Sequence, residues 1–153
     1  MSASPTIVSF PKSGRTWVRY ALALDDVRPT FTHAGHGART LELGRTFRGT
    51  PNWLRDTPIL FIYRNPIDTA VSYYFQLTRK DLRKSSGRWL KRAPILAALG
   101  RLPPTDIDDF VRDPRYGVPL ICAFNRGWLD ALSDWTKRHL VVRYEDLKMD
   151  PEA

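Results

Sequence analysis

The stretch Thr6-Ile-Val-Ser-Phe-Pro-Lys-Ser-Gly-Arg-Thr-Trp-Val-Arg-Tyr-Ala-Leu-Ala-Leu24 decides the fold. Thr6 to Phe10 is a short apolar run rich in β-branched side chains, the pattern of a buried strand. Pro11 offers no N–H to a sheet ladder and ends it. Ser13 and Gly14 turn the chain, and Trp17, Tyr20, Ala21 and Leu24 then recur at helical spacing. A strand, a tight turn and a helix in succession aim backbone N–H groups at an anion. Lys12 adds a full positive charge to that turn. The spacing is not that of the common nucleotide loop, Gly-x-x-x-x-Gly-Lys-Ser/Thr, where the lysine closes the loop. Here Lys12 precedes the loop's single glycine, and on these residues alone an ordinary turn with a surface lysine is the alternative.

Further along, Thr30 to Thr32 is β-prone and leads into the glycine-rich loop His33-Ala-Gly-His-Gly37, so a second strand is expected to end at His33. Residues 38–57 are polar and irregular, with a short helix expected near Trp53. Pro58-Ile-Leu-Phe-Ile-Tyr-Arg64 holds the clearest strand, continuously apolar as a strand covered on both faces must be. Asn65 suits an N-cap, Pro66 the first helical position, and Asp68 can reach back to the cap. Ile67, Ala70, Val71, Tyr74 and Phe75 then mark a helix expected to run to about residue 84. Thr105 is expected to cap a helix over 106–111. Val118 to Thr136 is a long helical pattern with Ile121, Phe124, Trp128, Leu132 and Trp135 on one side. His139 to Tyr144 is the last strand, and Glu145 opens a final turn of helix. Strands alternating with helices predict an α/β fold, a parallel sheet with helices on both faces and right-handed crossovers.

A chain of 153 residues can bury a real core as one domain. No apolar run approaches the ~18 residues of a membrane span. No basic region followed by an apolar core opens the chain, so a cytoplasmic protein is expected. The lone cysteine, Cys122, excludes an internal disulfide and, between Ile121 and Ala123, reads as a buried apolar residue. No cysteine–histidine cluster has zinc spacing, so no metal is expected. The net charge of +8 favours an anionic partner. Residues 79–101 hold eight basic residues, among them Lys84, Arg88 and Lys91, against Asp81 alone, and so carry nearly the whole excess. This basic insertion suits an anionic polysaccharide, a membrane surface approached peripherally, or nucleic acid; a solvated insertion is the alternative.

Ligands of open α/β sheets bind outside the carboxyl ends of strands. Two strands end there in phosphate-suited residues, one before the Lys12 loop and one before Arg64, whose guanidinium can pair with phosphate in bidentate fashion. Asp68 and Ser72, four residues apart, share one helix face. The segment Arg64-Asn-Pro-Ile-Asp-Thr-Ala-Val-Ser-Tyr-Tyr74 resembles the 3′-phosphate motif of the sulfotransferases that use 3′-phosphoadenosine 5′-phosphosulfate (PAPS). Pro11-Lys-Ser-Gly-Arg-Thr-Trp17 resembles their 5′-phosphosulfate loop, with Arg15 where the family commonly has threonine. Val142-Arg-Tyr-Glu-Asp-Leu-Lys-Met-Asp-Pro151 resembles their tyrosine-glutamate-aspartate segment.

The resemblance implies a sulfotransferase core similar to that of P-loop NTPases, and transfer of a sulfuryl group from PAPS to a hydroxyl or amine of a carbohydrate, lipid or small alcohol, leaving PAP. It implies Lys12 at the leaving oxygen, the N–H groups of Ser13, Gly14, Arg15 and Thr16 on the 5′-phosphate, and Trp17 on adenine or in the core. It implies Arg64 and Ser72 on the 3′-phosphate and Tyr144 near adenosine or packed at a strand end. A threonine–histidine pair at the end of the second strand often supplies the family's base. Thr32-His33 matches it, with His36 as runner-up. His139 reads as structural. Many relatives continue into a basic segment that closes over the nucleotide; 1–153 is expected to lack it. A P-loop-type kinase or NTPase, and a non-catalytic basic module for nucleic acid or anionic lipid, are the alternatives; no nucleic-acid partner is expected.

Overall fold

Residues 5–24, 28–34, 49–78 and 102–149 are described by a computed structural model of the chain. Their strands are β1 (Thr6–Ser9), β2 (Thr30–Thr32), β3 (Ile59–Tyr63) and β4 (His139–Arg143). The helices are α1 (Arg15–Leu24), α2 (Pro66–Thr78), α3 (Ile107–Arg112), α4 (Val118–Ser133) and α5 (Tyr144–Met149). The strands form one parallel sheet in the order β2-β1-β3-β4. His36, the basic segment 79–101 and the expected end of α2 near residue 84 lie outside the described residues.

Alternation along β1 and β3 sends side chains to two separate cores. Val8, Phe10, Ile59 and Phe61 meet α2, α3 and α4 through Ala70, Tyr73, Phe110, Phe124 and Trp128. Ile7 and Ile62 meet Val18 of α1 on the opposite face, with Leu22, Tyr144 and Leu147 packed around them. Burial on both faces is why these strands read as unbroken apolar runs. Trp128, fully buried, stacks on Phe61 and donates its indole N–H to the Ala34 carbonyl at 2.9 Å, tying α4 to the end of β2.

Several local expectations change. In α1 the covered stripe is Val18 with Leu22, while Trp17 is 39% and Tyr20 71% exposed. The helical period was legible, but two overlapping stripes satisfied it. In α2 the buried residues are Thr69, Ala70 and Tyr73, one step around from the expected face, and Ile67 and Phe75 are exposed. Asp106, not Thr105, caps α3, its Oδ1 accepting from the N–H groups of Asp108 (2.8 Å) and Asp109 (3.1 Å). A carboxylate there also meets the positive end of the helix dipole. Helix α4 stops at Ser133, where the Trp135 N–H folds back to the Leu132 carbonyl. Cys122 is exposed, because neighbours at i±1 on a helix point about 100° away and do not set its face. The element expected near Trp53 is a single 3-10 turn, Asn52–Leu54, anchored by buried Leu54. Among the described residues no helix is long and apolar enough to cross a membrane.

Candidate active site

Strand order locates the site. The chain leaves β1 towards β2 on one side, while β3 continues to β4 on the other, so the β1/β3 boundary is where the winding reverses. Helices α1 and α2 diverge to opposite faces there and leave a crevice at the strand ends. The cleft, of about 600 Å³, lies at this point. Its walls come from the Lys12 loop and α1 (Pro11, Lys12, Gly14 to Trp17, Tyr20), from His33 after β2, from Arg64 and Gln76, and from Tyr144 after β4. Lys12, Arg15 and Arg64 bring three cations to it, and no carboxylate is among these lining residues.

The loop after β1 is shaped by two left-handed residues, Lys12 at φ 72° and Gly14 at φ 88°. Glycine accepts that conformation freely; lysine holds it at a cost of about 1–2 kcal/mol. Gly14 has a second reason to lack a side chain. A Cβ there would stand 2.0 Å from Cδ2 of Tyr144 and 2.3 Å from its Cε2. Tyr144 therefore lies close against the loop backbone at Gly14. The first intrahelical bond of α1 runs from the Val18 N–H to the Gly14 carbonyl at 3.2 Å. The N–H groups of Gly14 to Trp17 precede it and have no carbonyl one turn back. Ser13 differs from the expectation: it is buried, its N–H donates to the Phe10 carbonyl at 3.3 Å, and it does not line the cleft.

Arg64 approaches from β3. Its Nη1 donates to the Lys12 carbonyl at 3.4 Å, its Nη2 stands 3.7 Å from Asp68, and its guanidinium carbon is 5.2 Å from the Tyr144 ring centroid. The Nε–H is buried and has no acceptor among the described residues. A buried guanidinium N–H without a partner is rare enough to point to an acceptor that arrives with a ligand. Asp68 is mostly exposed and distant, so it competes weakly for this group. Asn65 caps α2, accepting the Ile67 N–H at 2.9 Å and the Asp68 N–H at 3.4 Å. Ser72 is half-buried and outside the cleft lining; Gln76, one turn further along the same stripe, lines it.

His33 is held from behind. Its Nδ1 lies 2.6 Å from the carbonyl oxygen of Ser9, the last residue of β1. A carbonyl only accepts, so Nδ1 carries the proton, and in the neutral ring Nε2 is the basic nitrogen. Trp17 faces the cleft rather than the core, and Tyr144 both packs at the end of β4 and walls the cleft. His139 is exposed at the far end of β4.

Three residues were not read as site residues. Tyr20 carried only its helical spacing with Trp17 and Leu24. Gln76 continues the Asp68–Ser72 face by one more turn, a spacing visible in the sequence. Glu145 stands in the tyrosine-glutamate-aspartate segment, but no role was read for it: its Oε1 accepts the Asn65 N–H at 2.8 Å and its Oε2 accepts from Arg143 Nε at 3.1 Å. Burial raises the Glu145 pKa, but the Asn65 and own-backbone N–H bonds and the Arg143 guanidinium outweigh it and hold the carboxyl below its ordinary value.

A family model described as a sulfotransferase domain matches residues 49–153. The match includes β3, Arg64, α2, β4 and Tyr144. The Lys12 loop precedes it and is brought beside it by the pairing of β1 with β3. Comparison with curated proteins finds no match. Since the family model covers well over half of the chain and the sheet has the parallel α/β architecture expected of it, the chain belongs to the sulfotransferase domain family.

Proposed function

We propose that this chain transfers a sulfuryl group from PAPS to an acceptor hydroxyl or amine. The observation that carries the proposal is the convergence of the Lys12 loop and Arg64 on one cleft at the switch point, with no carboxylate among its described lining residues. The residues present fit a nucleotide with phosphates at both ends: N–H groups at the start of α1 after β1, and after β3 a guanidinium with a buried N–H that has no partner among the described residues.

In this reading the N–H groups of Gly14 to Thr16 hold the 5′-phosphate, and Arg64 holds the 3′-phosphate with Ser72 beside it on α2. Trp17 and Tyr144 offer flat faces to the adenosine. PAPS supplies the sulfuryl group and a phosphate leaving group. Lys12 neutralises the charge that grows on the departing oxygen, as in phosphoryl transfer, where positioning and electrostatics supply most of the rate. His33 Nε2 takes the acceptor proton as the acceptor oxygen or nitrogen bonds to sulfur, and the Ser9 carbonyl stabilises the resulting imidazolium through Nδ1–H.

The test is PAP binding to the purified chain followed by thermal unfolding, with mass spectrometry of transfer from PAPS to an acceptor panel. A ligand specific for the native state raises the midpoint. Arg64→Gln should weaken PAP at least tenfold, since a charge-assisted contact contributes about 1.5–3 kcal/mol. No midpoint shift at millimolar PAP overturns the nucleotide assignment.

A further inference from the structure

The cleft runs along three strand ends. Arg64 marks the β3 end and His33 the β2 end, with the Lys12 loop between them. If the nucleotide spans the β1/β3 boundary, the β2 side is left for the acceptor. Beside His33, that flank carries two arginines. Arg15 and Arg19 lie one turn apart on α1, so they share a face. Both guanidiniums sit over one ring, Phe31 of β2, at 5.9 Å and 4.9 Å from its centroid. Arg15 also lines the cleft.

Two like charges on one ring are an unfavourable arrangement without an anion. Neither arginine has a carboxylate partner among the described residues. Burial, and then the neighbouring Arg19, hold the Arg15 guanidinium below the usual arginine range. The ring gives each cation a modest attraction, within the ~6 Å reach of a cation–π contact. It does not neutralise either charge. An oxyanion between the two guanidiniums would, with fork geometry that an arginine offers and a lysine does not.

We propose that Arg15 and Arg19, seated on Phe31, form an anion subsite on the acceptor side of the cleft, so that the acceptor is a hydroxylated molecule that already carries an acidic group. The proposal rests on the nucleotide reading above, which decides which flank belongs to the acceptor. The Arg15 backbone serves the loop while its side chain serves the subsite, so Arg19 is the cleaner position to change.

The experiment measures binding of two acid/neutral pairs, glucuronate against glucose and 4-hydroxybenzoate against phenol, to the full chain saturated with PAP. The wild-type chain should prefer the acid in at least one pair. Arg19→Gln should reduce that preference about fivefold while PAP affinity stays within twofold, and Arg19→Lys should retain part of it. Raising the salt to about 0.5 M should erase most of the preference, since the contacts are partly exposed. No preference for the acid in either pair, or a preference that survives Arg19→Gln, overturns the subsite. Failure of PAP to bind the wild-type chain is a separate result; it overturns the nucleotide reading and, with it, the acceptor role of the pair.

Discussion

Replacing Gly14 with alanine tests the assembly of the cleft most directly. Two penalties add. An L-residue at φ 88° costs about 1–2 kcal/mol, partly offset by the ~0.4–1 kcal/mol that alanine removes from the unfolded chain's entropy. The new methyl would stand 2.0 Å and 2.3 Å from two carbons of the Tyr144 ring. Carbon atoms rest about 3.5–4.0 Å apart, so the ring must retreat by roughly 1.5 Å, an overpacking cost of about 1–3 kcal/mol. The net loss should be about 2–4 kcal/mol, read by urea unfolding. Tyr144→Ala alone removes a half-buried ring and should cost about 1–3 kcal/mol. In the double variant the methyl has nothing to strike, so its total loss should fall short of the sum by about 1–3 kcal/mol. Two single losses that add to within about 0.5 kcal/mol would refute the contact between the loop and Tyr144, and with it the claim that Tyr144 walls this cleft.

Lys12→Gly should leave stability unchanged or raise it by up to about 1 kcal/mol, because glycine holds φ 72° without strain, while transfer from PAPS falls to background; a clear loss of thermal midpoint would contradict the left-handed assignment. His33→Ala should cut turnover about 10²–10⁴-fold with PAP affinity within a few-fold, and the acid limb of the pH–rate profile should vanish; unchanged turnover would remove His33 from the role of base. For Glu145 the folded pKa lies below the ordinary value of 4.5, so its contribution is fully present above that value and is lost as pH falls through the depressed folded value. Asp113 is likewise depressed, its burial outweighed by hydrogen bonds from Arg115 and Tyr116, so the two share the acid limb. Glu145→Gln should therefore flatten only part of the loss of stability below about pH 4.5, and an unchanged slope would contradict the clamp on Asn65.

Parallel strands were legible because burial on both faces leaves no polar alternation to misread, as in Ile59 to Tyr63. The placement of the Lys12 loop and Arg64 at one sheet edge was legible because each sits directly after such a strand. Which face of a helix is covered was not legible. In α1, Trp17, Tyr20 and Leu24 keep helical spacing as well as Val18 and Leu22 do, and only the position of β1 and β3 selects between them. The rejected stripe became useful, because the cleft takes Trp17 and Tyr20. Glu145 stands in the tyrosine-glutamate-aspartate segment, but its contacts were not legible, for another reason. Its partners are a backbone N–H on a distant segment and a neighbouring arginine, and neither contact leaves a spacing to read.

Pairing of β1 with β3 does not by itself bring the two anion motifs to a working separation. The loops leave adjacent strands, but α1 and α2 pull them to opposite faces of the sheet. The direct link between them, Arg64 Nη1 to the Lys12 carbonyl, is 3.4 Å long, near the limit for a hydrogen bond. Stronger contacts come from the segment after β4. Tyr144 presses on Gly14 from the β1 side and faces the Arg64 guanidinium on the β3 side. Glu145 takes the first free N–H beyond Arg64 at 2.8 Å, a charge-assisted bond of the stronger class. The tyrosine-glutamate pair thus works as a wedge and a clamp, setting the distance between the Lys12 loop and Arg64 opposite it. On the proposed nucleotide reading, a substitution at either residue should therefore act on both ends of the nucleotide at once, whereas one at Lys12 or Arg64 should act on one end.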